Sequence, residues 1–155
     1  MNTEIFTFVL FCIEREPFNV LFEAFESVSL GIKMRRTTEA HQHYWKNRKI
    51  DWKTSYFDTW NHPHRMLIVN KLRKIVFGSI LEVGCASGPN LLLLSKVFPR
   101  VQLGGVDVNR SALEEAKRQL PQAIFDQASA DTMFFSENAV DVILTDMSLI
   151  YVGPG

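Results

Sequence analysis

Apolar and polar positions alternate between two periods along this chain, and the clearest change of period lies between residues 79 and 98. Ile80, Leu81 and Val83 form a short apolar run suited to a buried parallel strand. A small-residue loop follows, with glycines at 84 and 88. Pro89 suits a first helical position, and Leu91, Leu92, Leu93, Leu94, Val97 and Phe98 supply the apolar face of a helix. Upstream, Pro63 predicts another helix start, with Asn61 or His62 as its cap. Ile68, Leu72, Ile75 and Val76 share one face of that helix, and Gly78 stops it. Downstream, residues 101–108 read as a second strand. The next helix starts at Asn109 or Ser111; Ser111 and Glu114 have capping-box spacing, Leu113, Ala116 and Leu120 line one helical face, and Pro121 ends it. Residues 123–128 predict a third strand and residues 142–144 a fourth. Strands alternating with helices predict an α/β domain with a mostly parallel, doubly wound sheet.

The first 33 residues follow neither period cleanly. Ile5 to Ile13 is an apolar run of nine residues, short of the roughly 20 needed to span a bilayer. It lacks the basic flank and cleavage site of a signal peptide. Phe18, Leu21, Phe22 and Phe25 recur at helical spacing. The composition changes abruptly at Met34, and the expectation is that residues 1–33 are an upstream extension ahead of a natural start there. The chain then divides into that extension, a basic aromatic segment at residues 34–60, and a ligand-binding half-domain at residues 61–155.

Charge changes the picture only locally. The 17 basic and 17 acidic residues balance, which removes any global case for nucleic acid or membrane binding. Residues 33–74, however, hold 11 Lys/Arg against 3 Asp/Glu. Tyr44, Trp45, Trp52, Tyr56, Phe57 and Trp60 interleave with these cations. Such a segment binds RNA by phosphate pairing and base stacking, or packs its aromatics over a ligand pocket. His62 and His64 have no accompanying metal-ligand cluster. Cys12 and Cys85 lie far apart, so no disulfide framework is expected, and a reducing cytoplasm fits.

Candidate chemistry concentrates in the loop Gly84-Cys85-Ala86-Ser87-Gly88. Strand, glycine loop and helix present free backbone N–H groups and a positive helix end at a strand tip, where nucleotide-like ligands dock in open α/β sheets. A dinucleotide loop wants G-x-G-x-x-G. This one is G-x-A-x-G after the acid Glu82, and Ala86 is tolerable there if its φ is negative. A second acid, Asp107, ends the next strand 19 residues after Gly88, placed to accept ribose hydroxyls.

This combination resembles motif I, (D/E)-x-G-x-G-x-G, of the class I S-adenosylmethionine-dependent methyltransferases, with Ala86 at the middle glycine. The stretch from Phe134 to Leu144 is similar to that family's turn into its fourth strand. The resemblance implies a Rossmann-like sheet with strands 3-2-1-4 present and three C-terminal strands missing, which leaves strand four as an unpaired edge. It implies S-adenosylmethionine as cofactor. Glu82, Gly84, Cys85, Ala86 and Gly88 would shape the methionine side. Asp107 and Val108 would hold ribose, Ala130 with Ser129 or Asp131 would hold adenine, and Thr145 would stand at the end of strand four. Asp141 is expected to hold a turn rather than touch ligand. No catalytic base is named; the aromatic segment and the neighbourhood of Asp146 are the candidates on this chain. The implied activity is methyl transfer to an unidentified small-molecule acceptor, with RNA, through residues 35–60, as a second substrate class. The alternatives are a nucleotide-dependent oxidoreductase, which the missing third glycine disfavours, and a truncated interaction module that oligomerises through strand four.

Overall fold

The structure, a computed structural model, describes residues 8–12, 38–130, 139–146 and 148. The helical pattern at Phe18–Phe25, the turn before residue 139 and Asp131 lie outside the described residues.

Ser79–Val83 forms the central strand. With the other strands numbered in chain order it is β2, after β1 (Phe8–Cys12) and before β3 (Gln102–Asp107), β4 (Ile124–Gln127) and β5 (Val142–Asp146). The helices are α1 (Thr38–Asn47), α2 (Trp52–Ser55), α3 (Arg65–Leu72), α4 (Pro89–Val97) and α5 (Arg110–Gln119). The sheet order is β1-β5-β2-β3-β4. The pairs β2–β3, β2–β5 and β3–β4 are parallel. These four strands are the predicted 3-2-1-4 arrangement, and the Rossmann-like α/β class is observed.

The edge of the fourth strand is not bare as expected. β1 pairs with β5 antiparallel, Phe8 opposite Asp146 and Cys12 opposite Val142. Phe8–Cys12 thus pair with backbone groups that an open edge would leave to another chain. Part of the 1–33 extension is therefore built into the sheet.

One apolar cluster joins α3, α4 and α5 to the sheet. Val69, Leu72, Leu91, Leu94, Leu113, Ala116 and Leu144 are at most 3% exposed within it. Each buried leucine of this kind contributes about 1.5–3 kcal/mol. A smaller cluster of Leu81, Val83 and Val106 lies apart from it. Residues 80 and 82 alternate with 81 and 83, so neighbouring strand positions serve opposite faces.

Two local expectations are corrected. α3 begins at Arg65 with His64 as cap residue and ends at Leu72. Pro63 therefore sits in the preceding turn, where the carbonyls of residues 62–64 are taken by a short run of turns. Val76, expected on the buried face, is fully exposed, because the helix stops four residues short of it. At α5 the cap is Asn109, one of the two expected starts, whose Oδ1 accepts from Ala112 N at 3.0 Å. Ser111 instead donates to Asn109 Oδ1 at 2.8 Å. Asp141 holds the turn as expected: its Oδ2 accepts from the N–H groups of Gly78 and Ser79 at 2.8 and 2.9 Å.

Candidate cofactor site

A cavity of about 250 Å³ opens at the carboxyl ends of β2, β3 and β5. Six of the sequence-predicted residues line it: Gly84, Ala86, Asp107, Val108, Ser129 and Ala130. Glu82, Cys85, Gly88 and Thr145 stand behind it as buried residues. Cys85 turns its thiol into the core, toward Gly105, where an added Cβ would come within 2.7 Å of Sγ. Burial pushes that thiol well above its ordinary value. The thiol is therefore a packing group, and the loop's contribution at this position is backbone.

Glycine is required at 84 for two reasons. Its φ is +76°, and a Cβ there would collide with the side chain of Ser148. Ser148 donates from Oγ to Val83 O at 2.8 Å and shares a hydrogen bond with Thr145 Oγ1. Gly88 caps α4 at φ +80°. Ala86, in contrast to the expectation, has a positive φ of +49°. The left-handed region is unfavourable for a residue with a Cβ. The strain is held by Asp107, whose Oδ2 accepts from Ala86 N at 2.9 Å.

Asp107 Oδ1 accepts from Asn109 N at 2.8 Å. Each carboxylate oxygen thus keeps a further lone pair, on a residue that lines the cavity. Burial raises its carboxyl above the ordinary value, against the pull of the N–H groups of Asn109 and Ala86.

The far wall comes from the aromatic segment. Trp45, Trp52 and Tyr56 line the cavity, with Gln42. Asn109 fixes α1 there by donating from Nδ2 to Trp45 O at 2.7 Å and Arg48 O at 2.9 Å. Trp52 Nε1 donates to Ser111 Oγ at 2.9 Å, and Trp52 O accepts from Ser87 Oγ at 2.9 Å. Gln42 Nε2 reaches Ser129 Oγ at 3.3 Å. Gln42 and Ser148 carried no signal in the sequence, because neither belongs to a periodic pattern or motif.

Behind the loop lies a buried polar cluster. Glu82 Oε1 accepts from Asn90 Nδ2 at 2.6 Å, and Oε2 has no partner. Desolvation pushes the carboxyl up to about 8, which favours its neutral form. Arg65 is buried beside it and donates from Nε to Thr59 O at 3.0 Å. Its Nη1 faces Asn90 Oδ1 and Asp146 Oδ2. Asp146 Oδ2 also accepts from Asn90 Nδ2 at 3.1 Å, whereas Oδ1 has no partner among the described residues.

A parallel sheet with a glycine loop at β2 and an acid at the tip of β3 is the arrangement in which open α/β sheets hold nucleotide-like ligands. Comparison with known proteins narrows the class. Residues 80–154 match the family model of the methyltransferase domain. Trans-aconitate 2-methyltransferase of Enterobacter sp. (strain 638) is 30% identical over 105 residues, 66% of this chain and 41% of that protein. The enzyme of the same name from Acidovorax sp. (strain JS42) is 30% identical over 106 residues, 66% of this chain and 40% of that protein. The ribosomal RNA small subunit methyltransferase C of Serratia proteamaculans (strain 568) is 37% identical over 54 residues, 35% of this chain and 16% of that protein. Among solved structures, the plantazolicin methyltransferase BpumL in complex with SAH is 26% identical. The match covers 66% of this chain and 42% of that one, with a TM-score of 0.47. The chain thus spans about two fifths of the length of the trans-aconitate relatives. With the sheet order and the loop, the family match over residues 80–154 and the curated relatives make this stretch of the chain similar to methyltransferases.

Proposed function

We propose that the cavity binds S-adenosylmethionine and serves methyl transfer to a small-molecule acceptor. The observation that carries this reading is Asp107. Its two oxygens are anchored by the Ala86 and Asn109 N–H groups and retain lone pairs for the two ribose hydroxyls. Gly84 lets the backbone approach the methionine portion, and Val108 packs beside the ribose. Ser129 and Ala130 stand at the adenine end, with Asp131 as the alternative acceptor. Asp146 Oδ1, buried and without a partner on the cavity wall, fits a cationic N–H donor such as the α-ammonium group. Glu82, Cys85, Gly88 and Thr145 act by holding the loop and strand ends.

When bound, the cofactor supplies an electrophilic methyl group on a sulfonium. The chain's own part is to orient and to exclude water. Trp45, Trp52 and Tyr56 form an apolar wall whose ring faces suit a sulfonium.

The same aromatics bear on the substrate class. Trp45, Trp52 and Tyr56 face the cavity, and the Arg48 guanidinium lies 5.2 Å from the ring centroids of both Tyr44 and Trp45. The rings are thereby engaged within the chain rather than arrayed for base stacking, which supports a small acceptor over RNA. The trans-aconitate relatives, which by name act on a small acid, point the same way. Among the described residues no helix is long and apolar enough to cross a membrane.

Calorimetric titration of S-adenosylmethionine and S-adenosylhomocysteine into the chain tests the reading. Binding that weakens at least tenfold in Asp107→Ala is the expected outcome, since two hydrogen bonds to a charged group are lost. A folded chain that binds neither ligand overturns it.

A further inference from the structure

A chain of polar groups runs from the cavity wall to solvent. It starts at Asp146, which lines the cavity and has a side chain 7% exposed. Oδ1 is the unpartnered atom. Oδ2 is contacted by Asn90 Nδ2 at 3.1 Å from α4, Arg65 Nη1 at 3.5 Å from α3, and His64 Nε2 at 3.3 Å. The second ring nitrogen of His64, Nδ1, lies 2.6 Å from Nδ1 of His62. His62 is exposed. An imidazole takes a proton at one nitrogen and releases one at the other. Two facing ring nitrogens at this distance share one proton, so the state of either ring constrains the other.

We propose that His64 and His62 form a proton line that sets the charge beside Asp146. Through it, the preference of the cleft for a cationic over a neutral ligand follows pH. This rests on the reading that the cleft takes S-adenosylmethionine.

The local charges give the sign. Burial favours the neutral form of Glu82 on β2, and the Arg65 guanidinium faces Asp146. Asp107 lies further along the wall. His64 is held neutral by burial and by the Arg65 charge, against the pull of Asp146. Its protonation therefore comes below the ordinary value of 6.5, and it adds one positive charge beside Asp146. A ligand with an extra positive charge is then disfavoured. S-Adenosylmethionine carries one more positive charge, the sulfonium, than S-adenosylhomocysteine, so the ratio of their affinities isolates the effect.

The test measures both dissociation constants by calorimetry from about pH 7.5 to about pH 5. It also follows the two imidazole rings by NMR in the ligand-free chain. Wild type, His64→Gln and the exposed-site variant His62→Gln are compared. In wild type the preference for the sulfonium ligand falls roughly three- to tenfold as pH drops, the size of one partly screened unit charge. His64→Gln flattens the ratio, and His62→Gln moves its midpoint together with the His64 ring titration. A ratio independent of pH while both ligands bind overturns the proposal. So does a pH dependence that survives His64→Gln. If neither ligand binds, the reading of the cleft fails by itself, and the ring titrations still decide. Two independent transitions, with His64 unmoved by His62→Gln, overturn the line, and coupled ones uphold it.

Discussion

Ala86 shows how a single side chain records the demand of its loop. Motif I has glycine at this position, and the φ of +49° explains why. The Cβ costs about 1–2 kcal/mol in the left-handed region, offset in part because glycine loosens the unfolded chain by about 0.5–1 kcal/mol. Ala86→Gly is therefore expected to stabilise the chain by about 0.5–1 kcal/mol. Urea unfolding with an unchanged slope and a higher midpoint is the measurement. A lower midpoint would show that the hydrogen bond to Asp107 removes the strain. Asp107 and Gly84 were legible as residues because their roles follow from position relative to a strand end. The sign of φ at Ala86 was not, since a dihedral depends on what the N–H group meets across the sheet.

Among the elements, β1 departs furthest from expectation. Its nine-residue apolar run carried no period that assigns a partner. The alternation needed to place a strand's two faces appears only when one face meets water. Pairing with β5 joins residues 130 to 138 positions apart, from Cys12 with Val142 to Phe8 with Asp146. A chain beginning at Met34 lacks β1 and leaves β5 as an open edge. It is expected to self-associate with rising concentration, read by sedimentation or light scattering against the full chain. Equal monomer content for both chains would mean that β1 contributes nothing to solubility. The short α2 is the opposite case. Its Trp52 was noticed in the sequence, but its direction came from the hydrogen bond of its Nε1 to Ser111 Oγ, as that of Trp45 in α1 came from the bond of its carbonyl to Asn109 Nδ2.

For the molecule as a whole, ligand binding and stability are linked. A ligand that binds only the folded chain at a hundredfold excess over its dissociation constant adds about 2.7 kcal/mol. In a chain of this size that raises the melting temperature by roughly 5–10 °C. S-Adenosylhomocysteine is expected to produce such a shift in a thermal scan, and NADH none. A shift with NADH of the same size would revive the oxidoreductase reading.

The sequence alone determined the order of strands and helices from α3 to β5, the loop at Gly84–Gly88 and the acids at 82 and 107. These depend on local period and on spacing along one continuous segment, so they are written in neighbouring residues. Only the tertiary structure decided which edge β1 covers, that Trp45, Trp52 and Tyr56 face the cavity, and that His64 meets Asp146 across 82 positions. Each of these joins segments distant in the chain. An apolar or polar residue declares that it needs a partner, and the packing of the whole chain selects which one.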